Sequence, residues 1–243
     1  MLNKHIDQIR REAVEGYPNE VVWVVTDEEC TQLVNQSNDP QNSFKVDDLI
    51  LAKIRASGIE FCLVHSHPDA PAVPSASDMA QQMAGGETWA IISTDGVNTT
   101  DLTVWGGAQN YDLWNRPFIH GITDCWSFIR DRYALDGIAL VDYPRSWEWW
   151  NNGDNIYVDN LTGIGGFELV GHNVADIEKG DLLLFSIKGQ APNHAAYYEG
   201  DELISHHSGS RLPYDNSRSP RKEPVHPWLD FLVGIYRHKE MAK

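Results

Sequence analysis

The chain is poor in three things, and each shortage removes a class of function. Cysteine occurs only as Cys30, Cys62 and Cys125, widely spaced and without a Cys-x-x-Cys pair. A disulfide framework is therefore not expected, and each thiol is read by its own surroundings. Basic residues are outnumbered, 19 Lys and Arg against 35 Asp and Glu, for a net charge of −16. Affinity for nucleic acid rests mainly on Lys and Arg contacts to phosphate, so no nucleic-acid partner is expected. One local exception, Arg211, Arg218, Arg221 and Lys222, is short enough to read as a solvated loop. Long apolar runs are missing too. None approaches the roughly 20 residues of a membrane span, so no membrane anchor is expected. The stretch MLNKHIDQIRREAVEGYP reads as a polar amphipathic helix rather than a signal peptide, which predicts synthesis in the cytoplasm.

What remains is a globular chain of 243 residues, 42% hydrophobic, enough for one large domain or two of ordinary size. Its first part alternates helix and strand signals: a helix near 3–15, a strand VVWVVT (Val21 to Thr26), a helix VDDLILAKIRAS (Val46 to Ser57) and a strand IEFCLVH (Ile59 to His65). A helix from about Ser75 and a strand TWAIIST (Thr88 to Thr94) follow, giving a compact α/β unit. Glycines and polar residues in WGGAQNYDLWNRP break this pattern, which sets a boundary near residue 108. Beyond it, a helix DCWSFIRDRYAL precedes β segments GDLLLFSI, NHAAYYEG, ELISHH and FLVGIYRH, the order of an α+β domain.

His65 and His67 sit at the end of an apolar strand, where alternation turns residues i and i+2 to one face. Two imidazoles so placed can share one cation. Catalytic zinc takes three protein ligands and leaves a fourth position for water, so a third donor is needed, and Asp78 is the nearest candidate. Ser75-x-x-Asp78 after Pro74 is also a helix-capping pattern, with the serine accepting from the first turn. The two readings are compatible, since Asp78 lies one turn into the helix that Ser75 begins.

His65-x-His67-Pro68 followed by Ser75-x-x-Asp78 resembles the signature of the JAMM (MPN+) zinc metallopeptidases. The resemblance implies an α/β, cytidine-deaminase-like fold over residues 1–107, with zinc on His65, His67 and Asp78. It also implies Ser75 as a stabiliser of the tetrahedral intermediate and a glutamate from an earlier strand as general base. Glu20 fits that glutamate, with Glu15 and Glu12 as alternatives. Zinc would bring the pKa of bound water from 15.7 to about 7 while the carboxylate accepts its proton. One departure stands out: Val22 and Trp23 occupy positions where relatives often carry a small residue and a glycine.

Cys30 and Cys62 read as small buried hydrophobes. Cys125 differs, because it opens a helix, and the partial positive charge of a helix N-terminus favours thiolate over thiol. A nucleophile there needs a base. His194 opens a strand, and His206, twelve residues on, returns on the neighbouring strand of a hairpin to orient it. Asp-Cys-x-Ser, then Gly-Asp-Leu, then His with an aromatic pair and a glycine, then a further His resembles the NlpC-type cell-wall peptidases. That resemblance implies a papain-like α+β fold over residues 108–243, with Cys125 as nucleophile, His194 as base and His206 as orienting residue. The implied substrate is the peptide stem of peptidoglycan, cut between D-glutamyl and diaminopimelyl residues. His207 ranks behind His206, and Tyr111 is a weak candidate for the tyrosine that many relatives carry upstream of the cysteine. Trp147, Trp149 and Trp150 read as packed against their own domain.

The order of the two domains, together with NRPFIHGITDC before the cysteine helix, resembles the tail-tip assembly proteins of long-tailed, lambda-type bacteriophages. The resemblance implies a virion protein made in the host cytoplasm and built into the tail tip. Its implied partners are the hub, the end of the tape measure, the tip fibre proteins and the peptidoglycan opened as the genome enters. The competing reading is a hub or assembly component in which one or both sites do not turn over. A cellular isopeptidase, which the first domain alone would allow, is disfavoured by the second.

Overall fold

The computed structural model describes residues 1–107, 109–189, 191–209 and 218–241. Arg211 lies outside them. The chain forms two compact units, residues 1–74 with 80–109, and residues 75–79 with 110–243.

In chain order the first part contains α1 (Leu2–Gly16), β1 (Val22–Val25), β2 (Cys30–Leu33), α2 (Asp48–Ser57), β3 (Cys62–Pro68), α3 (Ala76–Gly85), β4 (Thr88–Thr94) and β5 (Thr103–Gly106). The sheet runs β2-β1-β3-β4-β5. Only β3 and β4 are parallel, joined across α3; the other neighbours are antiparallel. Asp47 caps α2 by accepting from the Leu49 N–H, and Gly58, at φ 70°, ends it in the left-handed conformation that glycine tolerates. Ile9 and Ala13 of α1 pack with Trp23, Val25, Cys62 and Val64 on one face of the sheet. Alternation then turns Val22, Val24, Leu63 and His65 to the other face.

The second part contains α4 (Cys125–Leu135), α5 (Ile156–Leu161), β6 (Phe167–Gly171), β7 (Leu182–Phe185), β8 (His194–Gly200), β9 (Leu203–His206), β10 (Arg221–Pro224) and β11 (Leu232–His238). Its antiparallel sheet runs β10-β9-β8-β7-β11-β6. Trp126, Phe128, Ile129 and Tyr133 of α4 meet Leu182, Leu184, Ala195 and Tyr197 in the larger core. Leu183, Phe185, Ala196, Ile204 and Ile235 form a second cluster.

The α/β and α+β expectations hold for the two parts. Four strands had no clear signal in the sequence, β2, β5, β6 and β10. Arg221 and Lys222, expected in a solvated loop, lie instead in β10, paired with Glu223 and Glu199. Charge and a closing proline suit such a strand to the sheet edge, where they discourage pairing with another chain. Trp149 is buried in the larger core with Trp150 partly packed on it, as expected, whereas Trp147 is 43% exposed.

Candidate active sites

In the first unit, β3 delivers His65 and His67 side by side, with their Nε2 atoms 3.1 Å apart. Two nitrogens on tetrahedral zinc, each about 2.0–2.1 Å from the ion, would be roughly 3.3 Å apart. His67 is oriented through its other nitrogen, since Nδ1 lies 2.8 Å from the Pro71 carbonyl oxygen. Such a contact from the distal ring nitrogen is how ligating histidines are usually fixed. His65 is fully buried beside the rings of Phe44, Trp89 and Trp105.

Ser75 and Asp78 form a reciprocal cap. The Ser75 N–H and hydroxyl donate to Asp78 Oδ2 at 2.8 and 2.7 Å, and the Asp78 N–H donates to Ser75 Oγ at 3.2 Å. The capping contacts fix the first turn of α3, so Asp78 is held from a rigid element. One ligand atom each from His65, His67 and Asp78 lie within 4.8 Å of one another, and all three residues are buried. Two imidazoles and a carboxylate at this spacing fit a divalent transition metal of the zinc kind.

Glu20 is also buried. Its backbone is pinned by the Pro40 carbonyl and the Asn35 amide. Val22 pairs with His65, and the Val21 carbonyl accepts from the Ser66 N–H, so the strand alternation sets Glu20 level with His67. Glu12 points elsewhere: its carboxylate accepts from the Trp23 indole N–H at 2.7 Å in the layer between α1 and the sheet. Trp23 therefore lies on the sheet face opposite His65, and its bulk does not crowd the histidines. Glu15 is exposed on α1.

In the second unit, the β8–β9 hairpin brings His194 Nε2 within 2.7 Å of His206 Nδ1. His206 Nε2 in turn lies 2.9 Å from Glu223 Oε1 on β10. Trp228 stacks on His194 at 5.2 Å between centroids, meets His206 edge-on, and donates its indole N–H to Glu223 at 2.8 Å. Burial pushes both histidines down. His194 falls well below the usual imidazole value, helped by the nearby His206, while His206 falls to about 3, helped by Arg221 and His207. His207 turns away from the pair, toward the Arg218 carbonyl and the Phe118 ring.

Cys125 opens α4 beneath its cap, Asp124, whose side chain accepts from the Ser127 N–H. Burial alone would raise the Asp124 carboxyl, but the Arg145 guanidinium, at 2.6 and 2.9 Å, outweighs it and holds Asp124 far below the usual carboxylate range. The thiolate expected at this helix start is opposed by its surroundings. Burial, and then the Asp124 charge, push the Cys125 thiol up to about 11, although Tyr157, Arg145 and the Ala195 N–H pull the other way. A desolvated site beside a carboxylate defeats the helix dipole. Burial raises Cys30 and Cys62 likewise, to about 11 and about 12, in line with inert thiols.

Among the described residues Cys125 Sγ has one side-chain hydrogen-bond partner, the Tyr157 hydroxyl at 3.0 Å. The structure thus joins His194 to His206 and packs Ala195, the residue after His194, in the same cluster as Cys125. The thiol itself is turned to Tyr157. That tyrosine follows the cysteine in sequence, unlike Tyr111. Tyr157, Arg145, Glu223 and Trp228 are the residues around the candidate site that sequence reasoning missed, and no local pattern marks any of them.

Residues 103–226 match the NlpC/P60 family and residues 2–106 match the prokaryotic homologs of the JAB domain. Over 177 residues the chain is 32% identical to the tail tip assembly protein K of Escherichia phage lambda, covering 73% of this chain and 81% of the relative. Against the tail tip assembly protein K of Escherichia phage N15 it is 32% identical over 252 residues, covering 99% and 97%. The chain belongs to the tail tip assembly protein K family. A K-family chain joins a JAB-type α/β domain to an NlpC/P60 domain, and NlpC/P60 is a peptidase family. A crystal structure of an NlpC/P60 family protein from Bacillus cereus is a weak likeness, TM-score 0.34 at 16% identity, over 94% of this K-family chain and 66% of that one. No helix among the described residues is long and apolar enough to cross a membrane.

Proposed function

We propose that this protein is a phage tail-tip component with two hydrolase centres, divided near residue 108. The C-terminal centre cuts peptidoglycan stem peptides as the genome is delivered, and the N-terminal centre is a zinc metallopeptidase. The observation that carries the first half is the His194–His206 contact at 2.7 Å on a hairpin whose strand β8 packs against α4, the helix that Cys125 opens. With Nε2 of His194 held by His206, its Nδ1 is the nitrogen available to the thiol. Turnover then begins with Sγ turning from Tyr157 to His194, which takes the thiol proton as sulfur attacks the peptide carbonyl. Burial favours the neutral forms of both the thiol and the imidazole, so His194 has to take the thiol proton for the sulfur to attack. His206 holds the imidazole of His194 in orientation.

His65, His67 and Asp78 are the residues that would hold zinc, which when bound supplies Lewis-acid polarisation of a carbonyl and acidification of water. Glu20 is then the proton acceptor and Ser75 the oxyanion donor. Ser75 must release Asp78 to donate elsewhere, since its hydroxyl hydrogen is engaged there at 2.7 Å. The partners in this reading are other tail-tip proteins and the cell wall, and the location is the virion.

A second reading, an assembly component with silent sites, is favoured by one observation: the Cys125 thiol rests on Tyr157 at 3.0 Å and is pushed up to about 11. Incubating the purified chain with diaminopimelate-type peptidoglycan, alone and as Cys125→Ala, separates the two. Muropeptides released only by the parent support hydrolysis, and none from either supports the silent component. For the N-terminal centre, elemental analysis should find about one zinc per chain in the parent and none in a His65→Ala, His67→Ala double variant. Equal metal in both would remove the metallopeptidase half of the reading.

A further inference from the structure

Beyond the histidine pair lies a carboxylate to which neither the sequence pattern nor the family kinship assigns a role. Glu223 sits on the edge strand β10, directly across from Ile204 of β9. Its Oε1 is 2.9 Å from His206 Nε2 and accepts the Trp228 indole N–H at 2.8 Å, while its Oε2 accepts from Arg221 Nε at 2.8 Å. Every neighbour of this carboxylate is therefore a donor or must act as one. We infer that Glu223 is a positioning residue of the cysteine centre, which fixes the tautomers of both histidines so that Nδ1 of His194 carries no proton. This rests on the reading of Cys125, His194 and His206 as that centre.

Hydrogen-bond polarity runs in one direction from the carboxylate through both rings. A carboxylate only accepts, so the nitrogen facing it, His206 Nε2, must carry hydrogen. A neutral imidazole carries one hydrogen, which leaves His206 Nδ1 an acceptor. The atom 2.7 Å from it, His194 Nε2, must then be the donor. Neutral His194 has spent its one hydrogen, and its Nδ1 is a bare lone pair. That is the form a general base needs. Without the carboxylate, the reverse polarity becomes available, with hydrogen on His206 Nδ1 and on His194 Nδ1, and the base is replaced by a donor.

The surroundings keep the deduction intact. His206 has to be neutral, and burial, Arg221 and His207 push it down to about 3. The charged and titratable groups acting on His194 include His206, Arg221, His207 and Glu223; those acting on Cys125 include Asp124, Arg145, Tyr157 and Tyr143. Only Glu223 among the first set accepts from the pair. When His194 takes the thiol proton, its positive charge is stabilised through His206 by the same carboxylate, a longer form of the orienting acid in a catalytic triad. Trp228 serves both ends, stacking on His194 and donating to Glu223.

The tautomers can be read without any substrate. Long-range nitrogen–proton correlation spectra of the full chain labelled with 15N-histidine, assigned with His194→Gln and His206→Gln, should show hydrogen on Nε2 and a bare Nδ1 for both residues. Hydrogen on Nδ1 of His206 in the parent would overturn the inference outright. Glu223→Met should give a mixture or reversal of tautomers, whereas Glu223→Gln, which keeps an acceptor oxygen, should restore the parental form. Identical tautomers in Glu223→Met and parent would also overturn it. As a second readout, iodoacetamide alkylation of Cys125 across pH 6 to 9 should slow roughly tenfold near neutrality in Glu223→Met, about what one hydrogen bond to a charged group supplies. An unchanged pH profile would count against the assignment. These readouts do not depend on peptidoglycan turnover, so a failure of the proposed activity would be seen separately.

Discussion

The two candidate sites are assembled in opposite ways. The metal-type site comes from one strand and the helix after it, His65 to Asp78, with Glu20 as a neighbour just before β1. The cysteine site draws Cys125 from α4, Tyr157 from α5, His194 and His206 from a hairpin, Glu223 from the edge strand and Trp228 from the turn beyond it. A site built from local spacing is fixed as soon as its strand and helix form. One built from distant segments depends on buried polar contacts that hold those segments together. The difference predicts that the cysteine site is the more sensitive to single changes and to acid.

The largest expected effect is at the base. His194→Ala should lower peptidoglycan cleavage by about 10²- to 10⁴-fold, the range of general-base catalysis, while His207→Ala should change it only a few-fold, as measured by muropeptide release. Comparable losses in both would break the assignment of the pair. Next is the clamp under the cysteine helix. Asp124 and Arg145 are both buried and joined by two hydrogen bonds, so Arg145→Leu leaves a buried carboxylate without its cation. That should destabilise the second unit by about 3–5 kcal/mol in a urea titration followed by tryptophan fluorescence. A cost below about 1 kcal/mol would mean the pair is not structural.

Acid should act on the same unit. His206 has its folded pKa depressed to about 3, so between there and its ordinary value near 6.5 the unfolded chain binds the extra proton. The stability it contributes is present above about pH 6.5 and is lost as pH falls toward 3. Between pH 7 and pH 4.5 the parent should lose on the order of 2 kcal/mol more than His206→Gln; equal losses would contradict the burial of a neutral imidazole. Smallest of all, Tyr157→Phe removes a bond that pulls the Cys125 thiol down. Alkylation of Cys125 at neutral pH should slow about threefold, the scale of one neutral hydrogen bond.

The contrast also explains what the sequence made legible. His65 and His67 were readable because strand alternation fixes i and i+2 on one face, and Asp78 because a capping serine fixes the first helical turn. Cys125, His194 and His206 were readable as a pattern of spacing, a helix start and a two-strand return. Tyr157, Arg145 and Glu223 were not, because each reaches its partner only after α5, the loop past α4 or strand β10 has docked. Strand β10 itself, Arg-Lys-Glu-Pro, carries no apolar alternation, since an edge strand buries little. The helix start at Cys125 was visible in sequence, but the burial and the Asp124 charge that oppose a thiolate there were not.

In the proposed reading Cys125 opens the cell wall without help from the metal-type site. This is tested most directly by muropeptide release from diaminopimelate-type peptidoglycan, measured for the parent and Cys125→Ala, each with and without a chelator. Release should vanish in Cys125→Ala and be undiminished when metal is removed. Release that survives Cys125→Ala, or that disappears with the metal, would contradict it.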